Sequence, residues 1–298
     1  MITKKLFSAA LAVLAMLSLA CAHAGTITDG ASDPNAYWGS NDHGLGDSIG
    51  GSAYDINGVT ITRVGSVLTV TVATNFAGHA GVGSSFETGN TTTSTGGLYG
   101  VAGGTKYLNA NYGTGIGYGD VFLANTWNPA GTDAHHTTDN AANGTDWAYG
   151  LSLDNRWSNT GGTFKLYALP GANSANIITS NSFITCGSGC TYRDGQADAV
   201  NRSAATDTGI SGSWTVTADQ QLQFTLNTLP SDMMSFASFA VHWGETCQND
   251  VVEGLTRVVP TPGSVSLVAL GLCAMLVLRR RRAVKGGLPL ARSAFAGA

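Results

Sequence analysis

The sequence predicts an all-β, antiparallel fold, a β-sandwich with jelly-roll or Greek-key connections. Charged residues make up only 11% of the 298-residue chain, and glycine occurs 40 times. This composition is typical of extracellular β-rich proteins with long turns. In several segments apolar residues alternate with polar ones at period 2, as in strands that bury one face. Outside two apolar terminal segments we find no long amphipathic helical pattern, so we expect about eight to eleven strands.

The alternating segments follow one another along the chain between glycine-rich turns. The first is a hairpin in which threonines occupy the outward positions and valine, leucine or isoleucine the inward ones. A strand is also predicted for residues 147–153. The hairpin and the remaining predicted strands are 59–73, 164–168, 214–217, 222–227 and 236–243.

The N-terminal 24 residues have the three parts of a secretory signal peptide. Lys4 and Lys5 form a basic region, and residues 6–20 form an apolar region. Small residues at Ala22 and Ala24 then make an A-x-A site, with cleavage before Gly25. Signal peptidase is therefore the expected processing partner, and the chain is expected to be exported.

A second apolar segment lies near the C-terminus. Pro260 and Pro262 favour an extended entry, and the uncharged residues 263–278 follow. As a helix this segment would span about 24 Å, short of a hydrocarbon core of roughly 30 Å. Length alone would allow a buried core helix, but Arg279–Arg282 suit a cytoplasmic headgroup region. We predict a short transmembrane segment at 263–278 and a cytoplasmic tail at 283–298.

The C-terminal order of parts resembles the PEP-CTERM sorting signal of exported Gram-negative surface proteins. The resemblance covers 258–282, and the matching residues are Pro260, Thr261, Pro262, Gly263, Arg279, Arg280, Arg281 and Arg282. It implies that exosortase cuts near the proline motif. Thr261 stands where the family usually has glutamate, and the tail is longer than usual. The alternative is an ordinary anchor that stays uncleaved.

The predicted exported domain, residues 25–257, ends in a segment that resembles the same group of proteins. The shared pattern is His-Trp followed by Cys-x-Asn-Asp, here His242-Trp243 and Cys247 to Asp250. A weaker likeness lies at Asn41–Gly51. The resemblance implies a secreted β-sandwich without an assigned biochemical role, and it supplies no catalytic residues.

The exported domain is acidic. It holds all 19 acidic residues but only seven of the 15 basic ones, which gives a net charge of −12. Such a domain repels nucleic acid and anionic lipid, so neither is an expected partner. We expect membrane contact only through the C-terminal segment.

Sixteen of the 19 acidic residues are aspartates, which suggests two interpretations. Loop aspartates bind Ca²⁺ through their oxygens, and Asp139, Asn143 and Asp146 are the candidate ligands in the densest cluster. Aspartate also caps turns in β proteins, which would leave this loop solvated and without metal. The spacing does not fit an EF-hand loop, and both interpretations stay open. No other cofactor is expected.

Cysteine usage suggests one small disulfide loop. In an oxidising compartment Cys186 and Cys190 can pair across Gly-Ser-Gly. Cys247 would then be left over, although it could instead pair with either of them, and the sequence does not choose.

Two classes of function remain for the exported domain. A non-enzymatic surface or matrix protein could contact exopolysaccharide through aromatic rings. The candidate rings are Tyr37, Trp38, Trp127, Trp157 and Trp243, although each also suits a buried core. A glycan-active enzyme would need paired carboxylates, but the glutamates are only Glu87, Glu245 and Glu253, and the sequence selects no pair. We therefore expect a non-enzymatic cell-surface or extracellular protein, transiently anchored in the inner membrane.

Overall fold

The computed structural model describes residues 22–29, 36–37, 48, 53–80, 116–132, 136, 138–180 and 195–260. His23–Val259 forms one compact unit. The second unit, Met1–Ala22 with Pro260–Ala298, lies almost wholly outside the described residues. Within the described residues no helix is long and apolar enough to cross a membrane, and the predicted segment 263–278 lies outside them.

The regular secondary structure of the described residues is almost entirely β-strand, with one short helix, α1 (Asn173–Asn176), and a 3-10 turn at Met233–Ser235. The strands are β1 (Ala22–Thr28), β2 (Ala36–Tyr37), β3 (Ile56–Val64), β4 (Val67–Thr74), β5 (Val121–Ala124), β6 (Tyr149–Leu153), β7 (Gly161–Ala168), β8 (Ile177–Thr179), β9 (Ala197–Val200), β10 (Thr206–Thr217), β11 (Gln221–Leu226), β12 (Ser238–Gly244), β13 (Val251–Arg257) and β14 (Val259–Pro260).

Twelve of these strands form one sheet, in the order β14-β1-β3-β4-β11-β10-β7-β6-β5-β12-β13-β2. The sheet curls until its two ends nearly meet. The backbone N–H of Ile56 in β3 donates to Asp250 Oδ2, which directly precedes β13, at 2.7 Å. Gly25 also lets β1 approach β13, because a side chain there would overlap the carbonyl of Arg257.

Every strand pair with a described register is antiparallel. The prediction of an all-β, antiparallel fold is therefore confirmed. Twelve of the strands belong to one continuous curled sheet, and the finer description as a two-layer sandwich with jelly-roll or Greek-key connections stays a prediction.

The main core fills the inside of the curl. Alternate residues of β3, β4, β11 and β10 point inward, among them Ile61, Val70, Phe224 and Trp214, each at most 1% exposed. Their outward neighbours are polar, as the alternating sequence predicts. The predicted hairpin at 59–73 and the predicted strands at 164–168, 214–217 and 222–227 all lie on observed strands.

A second layer covers only part of the outer face. The two-stranded sheet of β8 and β9, together with residues around Trp147, packs against the outside of β5 and β12. Phe122 and Ala240 point into this smaller core. All residues of β5 and β6 are consequently buried, so these strands have no solvent face.

Candidate functional site

One set of buried polar side chains lies beneath this second layer, on the outer face of β12 and β13. His242 and Glu253 stand directly opposite each other in the antiparallel register. They are only 1% and 2% exposed. The site is thus built from a cross-strand pair that the second layer encloses.

Both ring nitrogens of His242 are occupied. Nε2 lies 2.7 Å from the carbonyl oxygen of Ala197 in β9, and Nδ1 lies 2.8 Å from Glu253 Oε2. A backbone carbonyl only accepts, so Nε2 carries a hydrogen. Nδ1 makes the second hydrogen bond, to the carboxyl group of Glu253. Both nitrogens therefore contact the protein and neither faces a metal ion or a substrate.

The neighbours of Glu253 complete the enclosure. The indole N–H of Trp127 donates to Glu253 Oε1 at 2.8 Å. The rings of Phe122 and Trp147 pack around His242 with centroids 6.0 and 5.8 Å away. Each carboxyl oxygen of Glu253 thus has a partner. The cluster connects β12, β13 and β9 with the loop that follows β5 and contains Trp127.

Asp139 is a second buried carboxyl group near this pair, at 4% exposure. Its Oδ1 accepts the backbone N–H of Ala130 at 2.6 Å, and Gly144 makes room for it, since a side chain there would overlap the carboxylate. Burial raises the pKa of Asp139 to about 8; the charge of Glu253 also raises this pKa, while the Ala130 N–H opposes the shift. Asp139 therefore holds a proton at mildly acidic pH.

A buried ion pair lies where β5 begins. Asp120 Oδ1 accepts from the backbone N–H of Leu153 at 2.9 Å and from Arg156 Nη2 at 3.1 Å, while Oδ2 accepts from the N–H of Val200 at 2.8 Å. Arg156 Nη1 also donates to the carbonyl of Tyr118 at 2.7 Å. With Asp120 at 0% and Arg156 at 2% exposure, this pair fastens β9 and the end of β6 to the start of β5.

Asp198 lies beside the ion pair and is fully buried. Within the described residues its two carboxyl oxygens have no hydrogen-bond partner. Burial holds the pKa of Asp198 well above its usual range; Arg156 lowers this pKa and Asp120 raises it. This environment therefore favours the neutral form of the Asp198 carboxyl group.

The structure describes all three predicted calcium ligands, Asp139, Asn143 and Asp146. The side-chain oxygen of Asn143 accepts the N–H of Asn140 at 2.9 Å, its amide donates to the carbonyl of Thr138 at 2.8 Å, and Asp146 is exposed. In the part of the chain that the structure describes, no group of three or more His, Cys, Asp or Glu side chains is placed to hold a metal ion. Calcium at Asp139, Asn143 and Asp146 stays a prediction without structural support.

The structure describes the side chains of three of the five aromatic candidates for sugar stacking. Trp243 is fully buried, and its indole N–H donates to the carbonyl of Gly119 at 3.1 Å. Trp127 and Trp157 are half-buried. The backbone of Tyr37 pairs with Glu253 in the sheet, and Trp38 lies outside the described residues. Trp243 therefore belongs to the core and is not a sugar-binding surface.

Most of the predicted processing residues lie at or beyond the edge of the described chain. Ala22, Ala24 and Gly25 belong to β1, so cleavage before Gly25 would leave four residues of that strand. Pro260 ends β14. The others lie outside the described residues: Thr261, Pro262, Gly263, Arg279, Arg280, Arg281 and Arg282 of the sorting signal, and Cys186 and Cys190 of the predicted disulfide. Cys247 is fully buried.

The sequence analysis did not single out Asp120, Arg156 or Asp198. The sequence offers one local indication, for Asp120 alone, which stands directly before the apolar run Val121–Leu123. The pairing of His242 with Glu253 depends on the register of the hairpin between β12 and β13, which the predicted strands did not include.

An open depression of about 570 Å³ lies beside the second layer. It is lined by Asp146, Trp147, Ala148, Leu169, Gly171 and Ala172. Of these six residues only Asp146 has a titratable side chain, so the depression does not present the pair of carboxyl groups that glycoside hydrolysis requires.

No protein-family model matches this chain, and neither a curated protein nor a solved structure matches it.

Proposed function

We propose that this chain is a non-enzymatic exported protein of the cell surface or extracellular matrix, sorted by exosortase and associated with exopolysaccharide. The observation that carries the proposal is the order of parts at the C-terminus. Pro260–Pro262 is followed by the uncharged residues 263–278 and then by Arg279–Arg282. The signal peptide at residues 1–24 gives the same topology, with the folded domain outside the inner membrane.

The proposed chain has four parts. The signal peptide is removed by signal peptidase, and residues 25–257 fold outside the membrane as the β domain, for which the resemblance implies a sandwich. Residues 258–282 are the sorting signal, with the transmembrane helix at 263–278, and residues 283–298 lie in the cytoplasm. Exosortase then releases the domain from its transient anchor to the surface or the matrix.

The contacts of the buried polar cluster support a non-enzymatic role. A general base needs a lone pair that faces its substrate. In His242 both ring nitrogens contact the protein, and in Glu253 both carboxyl oxygens do. We therefore assign these residues to fastening the second layer onto the sheet.

A second candidate is a periplasmic domain that stays anchored in the inner membrane. The observation that favours it is Thr261, which stands where the sorting motif of the family usually has glutamate. In this alternative the same topology holds, but exosortase does not cut the chain.

The intact mass of the protein from cells with and without exosortase tests the proposal. We expect loss of residues 1–24 in both strains and loss of the segment after the proline motif only where exosortase is present. Replacing Pro260 and Pro262 with alanine is expected to block the second cut but not the first. A mass that retains Arg279–Arg282 in both strains contradicts sorting and supports the anchored domain.

A further inference from the structure

Six neighbouring strands of the curled sheet present an ordered polar surface to solvent, which we call the threonine face. It consists of two parallel rows of outward side chains. The first row crosses β1, β3, β4, β11 and β10, and the second crosses β3, β4, β11, β10 and β7. The first row is Thr26, Thr60, Thr71, Gln223 and Thr215, and the second is Thr62, Thr69, Thr225, Ser213 and Thr163.

The rows follow from the strand register. In the first row Thr60 lies opposite Thr71, Thr71 opposite Gln223, and Gln223 opposite Thr215. The hydroxyl groups of Thr26 and Thr60 are 3.1 Å apart, which adds β1 to this row. Within a row neighbouring residues are therefore spaced by about 4.8 Å, and the two rows are about 6.7 Å apart.

The second row has the same register. Thr62 lies opposite Thr69, Thr69 opposite Thr225, and Thr225 opposite Ser213. Thr163 on β7 ends this row, and its hydroxyl donates to Asp154 at 2.6 Å. All ten side chains of the two rows are exposed or half-buried.

None of the ten residues of the threonine face is ionisable, although the face belongs to a domain with a net charge of −12. Charged side chains border it at the β7 end, where Thr163 donates to Asp154 and Lys165 pairs with Asp207. A partner with many negative charges would need arginine or lysine on this surface. The face therefore suits an uncharged partner.

The chemistry of threonine suggests which uncharged partner this is. Its hydroxyl group both donates and accepts hydrogen bonds, and its methyl group offers an apolar contact. A neutral polysaccharide has the same combination, with hydroxyl groups at the edges of each sugar ring and C–H groups on the ring faces. An extended chain repeats these groups at regular intervals, as the two rows do.

We propose that the threonine face binds an ordered, neutral polysaccharide. This inference rests on the proposed role at exopolysaccharide and adds the surface and the class of glycan. The contacts proposed here are made by hydroxyl groups of the sheet and not by Trp243, which is buried.

Co-sedimentation of the purified full-length protein with insoluble glycans tests this inference. The neutral probes are microcrystalline cellulose and chitin, and calcium alginate beads are the acidic probe. We expect retention on at least one neutral glycan, no retention on alginate, and little loss at high salt, because screening weakens only charged contacts. Retention on alginate alone, or on no glycan, overturns the proposal.

Three variants locate the binding surface. Thr71→Lys places a long, charged side chain at the centre of the first row and is expected to abolish retention. Replacing Thr60, Thr71 and Thr215 together with valine keeps the strand propensity and is expected to weaken binding about tenfold or more, through loss of hydrogen bonds. The matched control is Thr206→Val, an exposed threonine at the other end of β10, which is expected to bind like the unmodified protein.

Other occupants of the face give different results. Retention on ice but not on either neutral glycan, or a dimer that Thr71→Lys dissociates in sedimentation velocity, overturns the proposal. If the unmodified protein and Thr71→Lys bind a neutral glycan equally well, the threonine face is not the binding surface. The proposed role in the matrix would still stand. The mass measurement decides the sorting proposal separately, because none of these substitutions touches the processing sites.

Discussion

The two halves of the curled sheet differ in what covers their outer face. In the covered half, β5, β6, β12 and β13 lie beneath a second layer and are buried on both sides. In the open half, β3, β4, β11 and β10 alternate between buried and solvent-facing residues. The backbone architecture is the same in both, so the covering layer decides which side chains the outward positions accept.

Outward polar groups meet opposite conditions in the two halves. In the open half threonine and glutamine stay hydrated and need no particular partner. In the covered half His242, Glu253 and Asp120 lose their water and must be matched by donors and acceptors of the second layer. The hydrogen-bonded polar residues of the covered half therefore hold neighbouring elements together, whereas the outward polar residues of the open half face solvent.

The largest expected effect comes from breaking the buried ion pair of the covered half. Arg156→Met leaves Asp120 without its charged partner and removes the positive charge near Asp198. We expect a loss of about 3–5 kcal/mol of unfolding free energy, measured by urea denaturation. The matched control is Lys165→Met, which breaks the exposed pair with Asp207 and is expected to lower the unfolding free energy far less, because solvent screens an exposed pair. Equal losses in the two variants would show that burial does not distinguish the halves.

A smaller effect is expected from pH. Because the pKa of Asp139 is about 8 in the folded protein, against about 3.9 when unfolded, the folded state binds more protons between these values. Unfolding free energy should therefore fall as pH rises from about 4 to about 8, by at least about 1 kcal/mol. Asp198, whose pKa is also raised, contributes with the same sign.

The variant Asp139→Asn distinguishes the contribution of Asp139 to this pH dependence from that of Asp198. It keeps an oxygen that can accept the Ala130 N–H but removes one titration, so the slope should become shallower without vanishing. Melting temperatures at pH 5 and pH 8 measure it, on the unmodified protein and the variant. The same slope in both proteins would contradict a raised pKa at Asp139.

The smallest expected effect belongs to the open half. Thr71→Val changes a half-buried outward position, where valine has a strand propensity as high as that of threonine. We expect a change in unfolding free energy within about 0.5 kcal/mol, measured by the same urea denaturation. A large loss of unfolding free energy would show that the Thr71 hydroxyl makes a stabilising contact in the folded protein. The open half would then resemble the covered half in this respect.

The sequence predicted the open half better than the covered half, for a physical reason. Strands with one solvent face keep a period-2 pattern, and the hairpin at 59–73 and the strands at 214–217 and 222–227 were found from it. In β13 both faces are buried, so Val251–Leu255 shows no regular alternation, and this strand was not predicted. The buried site depends on register and on β9, whose Ala197 lies 45 residues from His242, and no local pattern encodes such contacts.

The bond between Ile56 and Asp250 that closes the curl has a consequence for folding kinetics. It joins residues 194 positions apart, and contacts of such sequence separation form late and slowly because they close long loops. A chain that crosses a membrane from its N-terminus could not close this seam until residue 250 had emerged. In the export that we propose, the sheet would therefore stay open until residue 250 had crossed the membrane.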